Sequence, residues 1–320
     1  MRVAVTGATG FIGHAVAREA VARGHDVVAL HRAAPPAGAA MARWTSLDAW
    51  CAGDEPLDAV IHAAALRHRH GVPADEYARV NVELTRRVLD RASRGGAFFT
   101  HVSSISVYGW PPRDRLPIDE SFPPAPLGPY GRSKVATEEL VMQAGIPWSI
   151  VQPSITYGPG DTNGMIDRMT RLIARHAFVV PGLGRTRVQL VYIDDLARII
   201  VDGAESRAAS GRRFICTYKD PIRVSALVRL IARAVGGRVA PVGPPVALLE
   251  LAARAFEALD ALGALRGKEP PLTREKLATI SVDRAYDIGT MRRLLGTEPR
   301  IGYEEGILRT ARAMDLAREG

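Results

Sequence analysis

The sequence predicts an α/β protein with a doubly wound parallel sheet and a smaller, mixed C-terminal lobe, on the strength of three observations. Apolar runs recur at "RVAVT" (2–6), "DVVALHR" (26–32), "DAVIHAAA" (58–65), "FFTHVSS" (98–104) and "WSIVQPS" (148–154). Helical patterns separate these runs, the arrangement expected of parallel strands buried on both faces. The first run opens into Gly7, Gly10 and Gly13 and continues directly as a helix.

Each element has a local reason. In the first helix Ile12, Val16 and Ala20 recur every four residues until Gly24 stops it. Gly7 permits a tight turn, Gly10 lets backbone approach a pyrophosphate, and Gly13 lets the helix pack close to the sheet. The free amides at the helix start, around Phe11 and Ile12, can then hold phosphates without side-chain charge. The stretch "DEYARVNVELTRRVLDRA" reads as a helix with Tyr77, Val80, Leu84 and Val88 on its apolar face. Residues 110–129, "WPPRDRLPIDESFPPAPLGP", are too proline-rich for a helix and read as one wall of a substrate mouth. The next stretch, "PYGRSKVATEELV", returns to a helical pattern. Further on, "SALVRLIARAVGG" and "VALLELAARAFEALDALGAL" read as helices of the smaller lobe, the second as a core helix rather than a dimer or membrane surface. The division expected is a dinucleotide-binding unit over 1–158, completed by 188–217, and a substrate lobe from 159–187 and 218–320.

Composition excludes several classes. A chain of 320 residues with 47% hydrophobic content can bury a substantial core. Its net charge of +8 comes from scattered arginines, and aromatic content is 6%, so no nucleic-acid partner is expected. With no long apolar run and no charged leader, a cytoplasmic protein without a membrane partner is expected. Cys51 and Cys216 stand in unrelated contexts and read as packing residues, so neither a disulfide nor a metal site is expected.

Six motifs in order, "TGATGFIG", "DAVIHAAA", "SSISVYG", "YGRSK", "QPSITYGPGD" and "VYIDDLA", resemble the extended short-chain dehydrogenase/reductases, the epimerase/dehydratase group. The resemblance spans residues 2 to about 203. The C-terminal part is more loosely similar to the reductase and 3β-hydroxysteroid-dehydrogenase-like branch. It implies a Rossmann fold, a nicotinamide cofactor and a catalytic set of Ser104, Tyr130 and Lys134. Tyr130 would exchange a proton with a substrate oxygen, which a free phenol of pKa about 10 does poorly near neutrality. Lys134, one helical turn on, would favour the phenolate and reach the nicotinamide ribose. Ser104 falls four residues before Tyr108, in the slot of the substrate-positioning hydroxyl, while Ser103 reads as structural. Ala63, Ala64 and Pro153 join the glycine turn, Tyr130 and Lys134 as cofactor-binding positions. Ser154 occupies the segment beside the nicotinamide together with Pro153. Asn81 matches a supporting asparagine, although Leu84 stands where glycine is common.

The second apolar run ends in Arg32, with His31 before it and no acidic residue at the tip. An arginine there suits the 2′-phosphate of NADP, where a carboxylate would suit NAD, so NADP is the expected cofactor with NAD the alternative. The family's adenine-contacting Asp has no evident counterpart in "RWTSLDAW". The stretch "RHRH" at 67–70 reads first as a hydrated loop and alternatively as a grip for an anionic substrate group.

Ile105 and Ser106 follow Ser104 where family dehydratases carry an acid, which disfavours elimination. Sugar-nucleotide epimerases commonly place an Asn and an Arg where Ile155 and Val188 stand, although Arg187 is one residue away. The expected function is therefore hydride transfer between NADP(H) and a carbonyl or secondary alcohol of a small molecule. A sugar-nucleotide epimerase is the alternative. A dinucleotide-sensing regulator, the third class, has no need of Ser104, Tyr130 and Lys134 together. A homodimer is possible.

Overall fold

In the computed structural model, described here for residues 1–32, 42–67, 71–162, 164–240, 242–266 and 269–317, the apolar runs become the strands of one sheet. Strand β1 (Arg2–Thr6) leads through the glycine turn into α1 (Phe11–Ala22), β2 (Asp26–His31) and β3 (Arg43–Ser46). The short α2 (Leu47–Ala52) precedes β4 (Ala59–His62). A continuous helical stretch follows: α3 (Ala74–Tyr77), a π-helical turn over Ala78–Val82, and α4 (Glu83–Arg94). Strand β5 (Phe98–Val102), α5 (Pro129–Met142) and β6 (Trp148–Pro153) complete the unit that carries the site.

Beyond it come β7 (Ile155–Tyr157), α6 (Met165–Ala174), β8 (Arg187–Val188), β9 (Leu190–Tyr192), α7 (Ile193–Glu205) and β10 (Arg212–Cys216). The C-terminal part holds β11 (Ile222–Arg223), α8 (Val224–Val235), α9 (Val246–Ala261), α10 (Arg274–Ser281), α11 (Gly289–Leu295) and α12 (Tyr303–Ala313). Seven strands pair in the order β10-β6-β5-β4-β1-β2-β3, every neighbour parallel. The direction of winding reverses between β1 and β4, which puts a ligand crevice at the carboxyl ends of those strands. One apolar cluster joins the sheet to α1, α6, α7, α8 and α12 through Val5, Val16, Ile173, Ile200, Leu227 and Ile307.

Two expectations change. The apolar face expected of the helical stretch places Val80 inward, but the π-turn lengthens one turn by a residue and brings Asn81 to the interior, 2% exposed, with Val80 half-buried. Helix α9 is not a core helix. Leu248 and Leu251 are 56% and 64% exposed, and Ala253 is its one fully buried residue. It meets α10 along one side, where Arg274 Nε donates to Glu257 at 2.7 Å, and the leucine stripe faces outward. Among the described residues no helix is long and apolar enough to cross a membrane.

Candidate active site

The glycine turn is shaped to take a pyrophosphate. Gly7 has φ +69°, and an added Cβ would meet the Ala64 backbone at 2.9 Å. A Cβ on Gly13 would stand 2.2 Å from the Gly7 carbonyl, so α1 sits against the turn at a distance that glycine alone permits. Gly10 caps α1, and its N–H donates to the Gly7 carbonyl at 2.8 Å, leaving the amides of the first helical turn, from Phe11 to Gly13, directed toward the crevice. Ala63 and Ala64 close the other side as β4 ends, and Ala64 N–H donates to Thr6 Oγ1 at 3.1 Å. The loop after β7 reaches over this turn, for a Cβ on Gly160 would lie 3.7 Å from the Phe11 ring. These features fit a dinucleotide.

Arg32 is exposed just past β2. Asp26 stands at the opposite end of the strand, 3.2 Å from Arg2. At the end of β3 the Ser46 hydroxyl accepts the Ala49 N–H at 3.2 Å as the cap of α2.

Ser104, Tyr130 and Lys134 converge where β5 ends against the first turns of α5. Ser104 caps a short 3-10 turn, its hydroxyl accepting the Ser106 N–H at 3.1 Å. That hydroxyl also faces the Tyr130 phenol. Tyr130 is half-buried. Burial raises the phenol's pKa, and the Ser104 hydrogen bond and then the Arg67 charge act to lower it. The phenol therefore holds its proton through neutral pH. Lys134, expected to act on the phenol directly, spends its contacts on the strand: the ammonium donates to the Val102 carbonyl at 2.7 Å and faces His101 Nε2 at 3.3 Å. It is 1% exposed, and burial lowers its pKa to about 8 against the opposing pull of Glu138.

Supporting groups hold this arrangement from both sides. Asn81 Nδ2 donates to Ser133 Oγ on α5 at 2.9 Å, and Asn81 Oδ1 accepts the Leu66 N–H at 2.6 Å. It thus ties the loop after β4 to the helix bearing Tyr130. Ser103 donates to Glu138, which also accepts from Gln152 Nε2 at 2.9 Å. Gln152 Oε1 in turn accepts the Tyr108 hydroxyl at 2.7 Å, so Ser103 belongs to a buried network under the site. Pro153 is buried at the end of β6, and the Ser154 hydroxyl donates to Thr217 Oγ1 at 2.7 Å.

Of "RHRH", His68, Arg69 and His70 lie outside the described residues. Arg67 is exposed, with its guanidinium 3.6 Å from the buried Asp161 carboxylate. A cavity of about 830 Å³ opens elsewhere, with Leu116 and Pro117 of the proline-rich segment in its wall and Arg113, Arg185, Arg187, Lys219, Arg223 and Arg292 around it. Asp283 and Asp287 line it too, and none of Ser104, Tyr130 and Lys134 does.

A family model described as NAD dependent epimerase/dehydratase matches residues 3–215. The chain belongs to that family. Its curated relatives include the 2-alkyl-3-oxoalkanoate reductase of Stenotrophomonas maltophilia, 29% identical over 97% of this chain and 98% of the relative. The decarboxylating sterol-4-alpha-carboxylate 3-dehydrogenase of Saccharomyces cerevisiae is 28% identical over 82% of this chain and 78% of the relative. Among solved structures, MoeE5 in complex with UDP-glucuronic acid and NAD superposes with a TM-score of 0.76 at 23% identity, over 98% of this chain and 99% of that one. Like its relatives in the epimerase/dehydratase family, the protein is an NAD(P)-dependent enzyme of the extended short-chain dehydrogenase/reductase type.

Two features of this epimerase/dehydratase family member escape sequence reasoning. The nearness of Arg67 to Tyr130 joins residues 63 positions apart, and the Ser103–Glu138–Gln152 network joins three separate elements. For Arg67 the signal was its place on the loop after β4; for Glu138 it was a carboxylate on the buried face of α5.

Proposed function

We propose that the protein is an NADP(H)-dependent reductase of a small ketone bearing a carboxylate on the neighbouring carbon, with Ser104, Tyr130 and Lys134 as its catalytic set. The Tyr130 phenol on α5, whose pKa burial raises, stands with Ser104 at the end of β5 and with the exposed Arg67 on the loop after β4, and this grouping carries the reading. Bound in the crevice, the nicotinamide supplies the hydride. Ser104 donates to the substrate oxygen and orients it, and Tyr130 gives that oxygen its proton. Arg67 draws the carboxylate, and its charge favours the phenolate left behind. The names of both curated relatives place a carboxylate on the carbon adjoining the one whose oxygen is reduced or oxidised. Ile105 is buried and Ser106 has no acidic group, so no carboxylate follows Ser104 to drive elimination.

A 2-alkyl-3-oxo acid panel with NADPH tests the reading, with alcohol followed by mass spectrometry and cofactor by absorbance. NADPH consumed should equal alcohol formed, one for one. Ketones lacking the carboxylate should lose at least tenfold in kcat/KM, equivalent to about 1.4 kcal/mol. One observation favours a second reading, a sugar-nucleotide epimerase: the cationic cavity suits a diphosphate even though Ile155 and the buried Val188 replace the usual grips. Micromolar inhibition by UDP, with inversion of a UDP-sugar and no net cofactor change, would establish that reading and sink the reductase.

The cofactor assignment rests on Arg32. NADPH should bind at least tenfold more tightly than NADH by isothermal titration, about 1.4 kcal/mol, and Arg32→Ala should erase the difference. Equal affinities in the unmodified protein would mean that the arginine stays in solvent.

A further inference from the structure

We propose that the cationic cavity beside β8 and β11 is a second anion site, built for the phosphate groups of a small molecule other than the cofactor.

The observation that carries it is a pair of like charges. Strands β8 and β11 form a two-stranded antiparallel ribbon in which Arg187 stands directly opposite Arg223, and Val188 opposite Ile222. Neighbouring residues of a strand face opposite ways, so the two pairs lie on opposite faces of the ribbon. Val188 and Ile222 pack into the main apolar cluster, whereas both arginines are exposed and line the cavity of about 830 Å³. Like charges directly opposite one another destabilise such a ribbon. Nothing in the fold offsets this pair. Neither guanidinium has an acidic partner among the described residues, and Arg185, which also lines the cavity, has none either.

The two carboxylates in the lining are already engaged. Asp283 Oδ2 pairs with Arg113 at 2.9 Å and its Oδ1 accepts the Arg187 backbone N–H at 2.7 Å, while Asp287 Oδ1 accepts the Gly289 N–H at 2.6 Å. The lining holds unpaired donors as well: Arg284 Nε and Tyr286 Oη are buried with no hydrogen-bond partner among the described residues. Leaving buried donors unpaired is costly, and a bound acceptor removes that cost.

Two facing guanidiniums select the ligand class. A carboxylate has one charge and two oxygens, which a single arginine fork satisfies. A phosphate group carries close to two charges and three acceptor oxygens, enough for two forks at once. The cavity is also separate from the site already described. None of Ser104, Tyr130 and Lys134 lines it, and neither does any residue of the glycine turn. It lies on the face of the ribbon turned away from Val188, the position where sugar-nucleotide epimerases of the family commonly carry a gripping arginine.

The test is isothermal titration of pyrophosphate into the full-length protein with NADP+ or NAD+ at saturation, so that the glycine turn is filled. Pyrophosphate should bind at micromolar concentration, and Arg187→Gln and Arg223→Gln should each weaken it about tenfold or more while leaving dinucleotide affinity unchanged. Citrate, a carboxylate of similar charge, should bind far more weakly. Citrate binding as tightly as pyrophosphate would reduce the cavity to an unselective cationic patch, and undiminished binding in both variants would put the anion elsewhere; either result overturns the proposal, as does no binding at all. Stability reads the repulsion itself. With the dinucleotide present and no pyrophosphate, Arg223→Gln should unfold at the same temperature as the unmodified protein or higher, and adding pyrophosphate should raise the midpoint of the unmodified protein alone. A lower midpoint in the variant before pyrophosphate is added would show that Arg223 holds the fold rather than a ligand, and the proposal would fail. UDP should bind no more tightly than pyrophosphate; tighter UDP binding with inversion of a UDP-sugar would make the cavity part of the catalytic site and overturn the assignment of a second one. None of these outcomes depends on whether the protein reduces a ketone.

Discussion

Tyr130→Phe is expected to lower kcat by ~10²-fold or more while leaving cofactor affinity and substrate KM near the unmodified values. The substitution keeps the ring packed and removes the one proton that the site holds ready. That proton is present at working pH because burial raises the phenol's pKa, with Ser104 and Arg67 easing its departure. Reduction needs this state: the carbonyl oxygen gains a proton as the hydride arrives, and a protonated phenol can give one. Stability should change by no more than about 1 kcal/mol, the net worth of the hydrogen bond to Ser104. Steady-state kinetics on the 3-oxo acid panel, with thermal unfolding as the control, checks both parts. A residual rate above about a tenth of the unmodified enzyme's would mean that another group or a water supplies the proton.

The strands and the glycine turn were legible because their causes are local. Residues 3–5 and 59–61 are continuous apolar runs, and the Gly7, Gly10 and Gly13 spacing carries its own reason in the 2.2 Å approach that a Cβ would make at Gly13. Arg32 follows directly on β2, whose end the apolar run marks. The inward turn of Asn81 was not legible, because a helical period of 3.6 assigns Val80 to the buried face and nothing local announces the π-turn. Helix α9 misled in the opposite way. Its leucines have the composition of a core helix, and exposure depends on what packs against it, which periodicity does not record. The polar network under the site was hidden for a third reason: Ser103, Glu138 and Gln152 are distant in sequence and become partners only when β5, α5 and β6 are side by side.

Lys134→Met is expected to reduce kcat by roughly two orders of magnitude and to weaken cofactor binding, while changing the pH dependence of stability in a direction fixed by burial. The ammonium is 1% exposed, and its pKa falls from 10.5 to about 8. The sign follows from proton counts. Below pH 8 the lysine is charged in both folded and unfolded chains, so its desolvation is a constant cost to the fold. Between about 8 and 10.5 the folded chain releases the proton while the unfolded chain keeps it, so raising the pH favours folding. The methionine variant has no such proton and lacks that gain. Measured by chemical denaturation, the unmodified protein should therefore gain about 2 kcal/mol on the variant between pH 7 and pH 9.5. Other groups titrate in both proteins and cancel in the difference. A difference that stayed flat across this range would show that Lys134 keeps its charge in the fold, and that Val102 and Glu138 together outweigh the cost of burying it.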